Sequence, residues 1–256
     1  MILVRILLNG LIMGAEIAAV VAIAAAGYEH PFLFAAATAA LSFGLGLGLE
    51  AKRLRNELRF YFRGGASLSL LFVPVVGLVE ALMKGVLAGL AALFTFSGTD
   101  ADRLFWVAVV FGLSVYVGAA GLRVLSLKVD AYPSRWGYFR LAPPLGLLFS
   151  AGLAGLAATG LIASATVGDI GWRLVWELPA KPSVSQVSEL FFQLKQAFDD
   201  FIVTLLSAVI DRGWARLIGI AVSVNVLAGF VASVYAALIA SAVRRAEDAL
   251  LEDALL

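Results

Sequence analysis

Four polar side chains within long apolar stretches are the residues of this 256-residue chain best suited to chemistry. Glu80 and Lys84 are four residues apart, in the order that favours an ion pair on one helix face. A lone charge at the bilayer centre costs about 2.5–3.5 kcal/mol on insertion scales, and pairing reduces that cost. The pair has two interpretations: a site for an ion, a proton or a polar group of a solute, or a self-neutralised pair that fixes helix packing.

Glu16 and Asn225 are the other two candidates. Glu16 lies midway along the first apolar stretch and has no oppositely charged neighbour in the sequence. Either its carboxyl is neutral, because burial disfavours the charged form, or it meets Lys84 across helices. A neutral carboxyl has two uses, as a proton relay or as a packing hydrogen bond. Asn225, near the start of the last apolar stretch, is expected to hydrogen-bond to a neighbouring helix.

The composition indicates a membrane protein. The chain is 62% hydrophobic and 14% charged, whereas soluble domains are about 45–50% apolar and about 25% charged. The net charge of +1 gives no field that would attract nucleic acid. Cysteine is absent, His30 is the single histidine, and no nucleotide-binding loop or hydrolase motif is present. We therefore expect no cofactor, no metal site, no nucleic-acid partner and no enzymatic activity.

Six apolar stretches are long enough for spanning helices, which need about 20 residues. They cover about residues 6–27, 31–49, 74–96, 104–125, 143–167 and 217–243. Apolar character before the third stretch begins at Ala66, and we expect Pro74 to divide that run into a short interfacial or kinked piece, 67–73, and the span. The sequence thus predicts an all-α membrane helical bundle that forms one domain.

Basic residues are concentrated in alternate gaps between the stretches, which predicts the orientation. One side would carry Arg5, the basic loop 50–65, Arg123, Lys128, Arg135, Arg140, Arg244 and Arg245, whereas the short loops opposite carry only Arg103. The positive-inside rule then places both termini in the cytoplasm, with the chain in the cytoplasmic (inner) membrane. The tail 244–256 would be cytoplasmic, with 246–256 a small amphipathic helix that is either a docking element or a frayed end.

The segment 169–216 is the longest hydrophilic piece and is expected outside the cytoplasm. Ser183 and Gln186 have the spacing of a capping box, and apolar residues then recur every three or four positions. This pattern predicts an amphipathic helix over 184–210. Its central charges, Lys195, Asp199 and Asp200, argue against burial across lipid. Two roles are open: a helix on the outer membrane surface or on the ends of the bundle, or a gate or docking helix over a pathway.

Small residues at four-residue spacing indicate where helices approach each other closely. Four such faces are Gly44–Gly48, Gly85–Gly89, Ala151–Gly155–Thr159–Ala163 in the fifth stretch and Gly229–Ser233–Ala237–Ser241 in the sixth. They favour a tight bundle, a homo-oligomer or contacts with other membrane subunits. The remaining expected partners are membrane lipids.

The predicted topology resembles that of ABC-2-type permeases. Six spans with both ends inside, a basic loop after the second span and an outer amphipathic segment between the fifth and sixth are shared features. Pro74-Val75 followed by Lys84 is similar to the proline-valine and lysine of the coupling-loop region in that family. The serine and arginine usual after that proline-valine are replaced here by Val76 and Gly77. The resemblance implies a permease.

Two functional hypotheses follow. The first is a permease or channel subunit that moves a polar or ionic solute, with Glu80, Lys84 and Glu16 along its pathway and the 184–210 helix over its mouth. The second is a non-catalytic structural or assembly subunit of a larger membrane complex, such as a secretion, conjugation or respiratory complex. In that case the helix and the tail would be docking surfaces, and the Glu80–Lys84 pair would serve packing.

Overall fold

The computed structural model describes residues 2–61, 66–96, 101–129, 140–162 and 183–253. These ranges contain α-helices and short turns, and no strand is present within them. The elements are α1 (Ile2–Glu29), α2 (Pro31–Tyr61), α3 (Ala66–Thr95), α4 (Ala101–Val129), α5 (Ala142–Ala158), α6 (Val184–Ser207), α7 (Arg212–Val222), a 3-10 turn (Val224–Leu227) and α8 (Ala228–Asp253). The predicted all-α class is confirmed for this part of the chain.

Five helical segments in the described ranges are long and apolar enough to cross a membrane. They are Asn9–Glu29, Pro31–Glu50, Pro74–Thr95, Ala101–Ser126 and the composite segment Arg212–Ala249, which joins α7, the 3-10 turn and α8. Several such helices are expected of a multi-pass membrane protein. The sixth span and the orientation of the termini stay predictions.

One expectation about α2 is wrong and one about α3 is partly wrong. The basic segment 50–65 was expected to be a loop, but α2 continues through it to Tyr61. The third apolar run was expected to consist of a short interfacial or kinked piece, 67–73, and a span from Pro74. The apolar span does begin at Pro74, but α3 is one continuous helix from Ala66 to Thr95 with Pro74 inside it. A proline removes one backbone hydrogen bond. A break would leave several backbone groups unsatisfied, and each of these costs several kcal/mol in lipid.

The fifth predicted span, 143–167, is also corrected, because α5 ends at Ala158. Gly160 has φ +74°, a left-handed conformation that glycine adopts without steric cost. Its N–H donates to the Ala157 carbonyl, and the Leu161 N–H donates to the Leu156 carbonyl. This pair of hydrogen bonds is the Schellman motif that terminates helices. Residues 163–167 of the prediction lie outside the described ranges, as do Trp172 and Trp176 of the following segment.

The sixth predicted span, 217–243, is not one continuous helix. α7 ends at Val222, Ser223 is extended with φ −53° and ψ 142°, and a 3-10 turn leads into α8. The Ser223 hydroxyl accepts a hydrogen bond from the Asn225 N–H at 3.0 Å. Ser223 is therefore a helix cap in the middle of an apolar run, and it divides the composite segment in two.

α8 lies at the centre of the bundle and packs against α1, α2, α3, α4 and α5. Its Tyr235 ring stacks on Phe34 of α2 with a centroid distance of 5.2 Å. The Tyr235 hydroxyl and Thr38 Oγ1 are hydrogen-bonded at 2.8 Å. Phe96 and Phe111, both fully buried, complete the aromatic core with an edge-to-face contact at 5.2 Å. Edge-to-face pairs of this kind add to the free energy of burial.

Glycines allow close approach at two helix contacts. A Cβ placed on Gly89 of α3 would lie 2.9 Å from the Ala39 Cβ of α2. A Cβ on Gly229 of α8 would overlap the Ala142 carbonyl oxygen of α5, and one on Gly146 would overlap the Val226 carbonyl oxygen. Because no side chain separates them at these points, α5 and α8 meet backbone to backbone.

Candidate functional site

The structure places Lys84 with a different partner from the expected one. Its ammonium is hydrogen-bonded and ion-paired to Glu50 of α2, a residue that is 3% exposed. Ser42 of α2 also donates to the Lys84 carbonyl at 3.4 Å. The Glu80 Oε2 atom is buried and has no hydrogen-bond partner among the described residues. The helical spacing of Glu80 and Lys84 is thus present, but the lysine joins α3 to α2 instead of neutralising Glu80.

Glu16 is buried, with 4% of its surface exposed. Its Oε2 lies 3.9 Å from Arg123 Nη1 of α4, and a second nitrogen of that guanidinium binds Glu247 of α8. One cation is therefore shared by two carboxylates on two other helices. The alternative in which Glu16 meets Lys84 is wrong, because Arg123 occupies that role. The Oε1 atom of Glu16 has no hydrogen-bond partner in the part of the chain that the structure describes.

The tail is part of this cluster. α8 continues without a break to Asp253, so residues 246–253 are not a separate small helix. Glu247 contacts Arg123, and Arg244 donates to the Ser126 carbonyl at 3.0 Å. The first turns of the predicted tail therefore pack on the end of α4. Residues 254–256 lie outside the described ranges.

A larger polar site lies elsewhere, in a cleft of about 750 Å³ formed by α4, α5, α6, α7 and the residues of the helix break. Its charged lining residues are Arg103, Lys195, Asp199, Asp200 and Arg216. Small residues of α5, among them Ala151, Ala154, Gly155 and Ala158, form much of the apolar wall. In the fifth stretch, Ala151 and Gly155 of the predicted small-residue face therefore line this cleft.

Asp199 of α6 holds the helix break together. Its Oδ1 accepts from the Val224 N–H at 3.0 Å, and its Oδ2 accepts from the Ser223 hydroxyl at 2.7 Å. The Asn225 side-chain amide donates to the same Oδ2 at 3.0 Å. Unpaired N–H groups at a helix start favour a negative charge. Asp199 supplies that charge from a separate helix, and Asn225 makes the hydrogen bond to a neighbouring helix that the sequence predicts.

Lys195 lies one turn before Asp199 and is 8% exposed, so the protein buries this charge. Its Nζ donates to the Phe94 carbonyl at 3.3 Å, in the last turn of α3. Burial, and to a lesser extent the charge of Arg103, lower the pKa of Lys195 to about 8, and the charge of Asp199 opposes this shift. The ammonium is thus still mainly protonated at neutral pH.

Asp200 also lines the cleft. Burial and the neighbouring charge of Asp199 raise the pKa of the Asp200 carboxyl. The Oδ1 atom of Asn225 is buried and has no hydrogen-bond partner among the described residues. Close to the break, the cleft therefore offers both a carboxyl that resists ionisation and an unused hydrogen-bond acceptor.

Of the four residues predicted from sequence, only Asn225 belongs to this cleft. Four residues of the cleft were not predicted as site residues: Lys195, Asp199, Ser223 and Arg103. The available signal was the four-residue spacing of Lys195 and Asp199, which places both on one face of α6, together with the cap-forming type of Ser223.

The predicted capping box of α6 is confirmed, because Ser183 Oγ accepts from the Gln186 N–H and Gln186 Oε1 accepts from the Ser183 N–H. α6 begins as predicted and ends at Ser207 instead of 210. The next helix starts with Asp211 as its cap. The location of α6 on the membrane surface stays a prediction.

Within the described ranges, no group of three or more His, Asp or Glu side chains is arranged to hold a metal ion. Comparison with protein-family models, with curated proteins and with solved structures finds no match for this chain.

Proposed function

We propose that the protein is a membrane permease or channel subunit, and that the cleft at the break between α7 and α8 is part of its pathway for a polar or ionic solute. The observation that carries this proposal is the break itself. Non-helical backbone within an apolar segment is tolerated where it is buried in protein or lines a polar cavity. Here Ser223 and Asn225, at the break, line a cleft that also holds five charged side chains.

Broken helices are a recurring device in transporters, where their exposed backbone groups and half-helix ends bind solutes and ions near the middle of the membrane. The cleft supplies the same kinds of group. α6 contributes Lys195, Asp199 and Asp200 to one wall, which supports the expected role of that helix as a cover over the pathway. In this proposal Lys84 and Glu16 serve packing, because each is paired to another helix.

Filling the cleft with a bulky side chain tests the proposal. Gly155 lines the cleft and Gly121 of α4 does not, and a Cβ at either position meets no atom within 4 Å. Both Gly155→Trp and Gly121→Trp are therefore expected to fold. Uptake of phosphate, lactate, glycine and potassium is measured in proteoliposomes that contain wild-type or variant protein.

The proposal expects protein-dependent uptake of at least one of these solutes. That uptake should fall by about tenfold or more in Gly155→Trp, since the pathway is obstructed, and should be unchanged in Gly121→Trp. Equal uptake in the two variants, or no protein-dependent uptake of any of the four, would count against the proposal.

A second candidate function, a structural subunit of a larger membrane complex, is favoured by one observation. Gly44 and Gly48 on α2 are exposed, and a Cβ at either meets nothing within 4 Å. Such a small-residue face suits close contact with another membrane helix. The chain has no cysteine, so Gly44→Cys gives a single thiol for oxidative cross-linking in native membranes. Cross-links with Gly44→Cys but not with the equally open Gly14→Cys are expected; no cross-link at Gly44 would count against this function.

A further inference from the structure

The cleft has a pronounced chemical asymmetry, which begins with Lys195. This buried ammonium can donate three hydrogen bonds, yet its hydrogen bond in the described structure goes to a main-chain carbonyl, that of Phe94. No carboxylate of the described residues lies within 4.0 Å of Nζ. A buried cation is ordinarily paired with a carboxylate or another anion. Lys195 thus lines a cleft with donor capacity that the described residues leave unused.

The other charges of the cleft leave the charge of Lys195 uncompensated. Among the described lining residues, the two arginines Arg103 and Arg216 balance the two carboxylates Asp199 and Asp200, so the formal charge of +1 is that of Lys195. Asp199 is already occupied by the Ser223, Val224 and Asn225 donors. Arg103 is close enough to Lys195 to lower its pKa.

Apart from Ser150, Ser223 and Asn225, the remainder of the described wall is apolar. α5 contributes alanine, glycine and leucine, and Val107, Val203 and Ile162 add aliphatic groups. A ligand that uses the whole cleft would therefore combine one negative charge with an apolar body. Sites of this size commonly place a few fixed polar groups in a largely apolar lining.

We propose that the cleft binds an amphiphilic monoanion, with its anionic head group at Lys195 and Arg103 and its short apolar body along α5. The inference rests on the proposed function, in which this cleft is the pathway. Carboxylate and phosphodiester head groups share the required chemistry, since each is a compact anion that accepts charge-assisted hydrogen bonds. A water-soluble carboxylate and an anionic lipid are therefore the two possible sources.

Four small probe molecules distinguish the contribution of the anionic head group from that of the apolar chain. Binding to the purified full chain in phosphatidylcholine nanodiscs is measured by titration calorimetry with hexanoate, acetate, hexan-1-ol and hexylammonium. Hexanoate is expected to bind about tenfold or more tightly than the other three, because only hexanoate supplies both features, and one charge-assisted hydrogen bond is worth about 1.4 kcal/mol or more. Equal binding of hexanoate and hexan-1-ol, or tighter binding of hexylammonium, would overturn the inference.

Lys195→Met removes the ammonium and keeps an unbranched side chain of similar length. It should weaken hexanoate binding by about tenfold, whereas Arg212→Gln, an exposed cation of α7 outside the cleft, should not. Thermal unfolding checks that both variants are folded. Unchanged hexanoate affinity in folded Lys195→Met would overturn the inference.

The pH dependence gives a second readout. Among the described residues, the charged groups that face Lys195 are Arg103 from α4, Asp199 and Asp200 from α6 and Arg216 from α7. Hexanoate affinity should fall between about pH 7 and pH 9.5 in the wild type, as Lys195 loses its proton. It should be flat in Lys195→Met. A fall of the same size in both would contradict the assignment.

Replacing part of the phosphatidylcholine with phosphatidylglycerol identifies the source of the anion. If phosphatidylglycerol competes with hexanoate, and the competition is lost in Lys195→Met, the natural anion is a lipid. If hexanoate binds equally well with and without phosphatidylglycerol, the natural anion is a water-soluble carboxylate. Hexanoate binding without uptake of any solute would contradict the proposed function and support the anion site. Uptake without hexanoate binding would support the proposed function and contradict the anion site.

Discussion

Lys195 and Asp199, one turn apart on α6, contact helix ends of opposite polarity. Lys195 donates to the Phe94 carbonyl in the last turn of α3, and Asp199 accepts from the Val224 N–H just before α8. A cation at a helix C-terminus and an anion at a helix N-terminus both complement the helix dipole. α6 therefore connects two core helices through charge as well as through packing.

Asp199→Ala is expected to destabilise the protein more than Asp200→Ala. It leaves three donors at the helix break without an acceptor, and loss of a charged cap with its hydrogen bonds costs about 2 kcal/mol. The Asp200 carboxyl accepts none of those three bonds. Thermal unfolding in detergent, followed by tryptophan fluorescence, measures both. Equal midpoints for the two variants would show that the cap does not hold the break.

Lys195→Met should raise the thermal midpoint at neutral pH, because a buried charge without a carboxylate partner is replaced by an apolar side chain. Lys84→Met should lower it, because the buried Glu50 would lose one cation and keep only the largely exposed Arg53, at 3.5 Å. The two lysines thus form a matched pair with opposite expected signs. A decrease in both variants would mean that the hydrogen bond of Lys195 to α3 outweighs its cost of burial.

The pH dependence of stability has a defined sign at Lys195. Its pKa is about 8 in the folded protein, below the ordinary 10.5, so the unfolded chain binds more protons between these values. The free energy of unfolding therefore rises with pH from about 8 to 10.5, and this gain is lost as the pH falls from 10.5 to about 8. Subtracting the unfolding profile of Lys195→Met from that of the wild type isolates this contribution, and a difference that is constant from pH 7.5 to pH 10.5 would contradict it.

Gly229→Ala should destabilise the protein strongly, by about 2 kcal/mol or more, because the new methyl group would overlap the backbone of α5 at Ala142 and Gly146. Gly121→Ala on α4 is the control. A Cβ there meets no atom within 4 Å, and replacement of a helical glycine by alanine stabilises by up to about 1 kcal/mol. Similar unfolding midpoints for the two would contradict a backbone contact between α5 and α8.

Arg123→Met should be destabilising by about 3 kcal/mol, since it leaves Glu16 buried with no cation beside it. Adding Glu16→Gln should recover much of the loss, because the amide carries no charge. The double-mutant cycle measures the coupling free energy between the two positions. Additive effects would show that the 3.9 Å contact contributes little.

Hydropathy and local capping rules predicted much of this architecture. The positions of α1 and α4 follow from apolar length alone, and the start of α6 follows from Ser183 and Gln186. These features are local, so the sequence contains them directly. The Schellman ending of α5 at Gly160 was equally local, but the apolar residues on either side of it concealed the glycine signal.

The candidate site was less accessible to sequence reasoning. Lys195 pairs with a carbonyl about 100 positions away in the chain, at Phe94. Periodicity on one helix indicates which face is polar, but it does not reveal which helix end that face will meet. Charges such as Lys195 and Asp199 therefore resemble solvent-exposed residues until the fold brings α3 and α8 beside them. The same reason explains why Arg123 was not recognised as the partner of Glu16.

The backbone contact between α5 and α8 has a mechanical consequence. Where Gly146 and Gly229 meet, no side chain can change rotamer to let the helices slide, so we expect the two to behave as one rigid wall. α7 is joined to α8 through the extended residue Ser223 and the 3-10 turn Val224–Leu227. We therefore expect the cleft to open when α6 and α7 rotate together about Ser223. Such a motion has to break the hydrogen bonds that Asp199 accepts at the helix break.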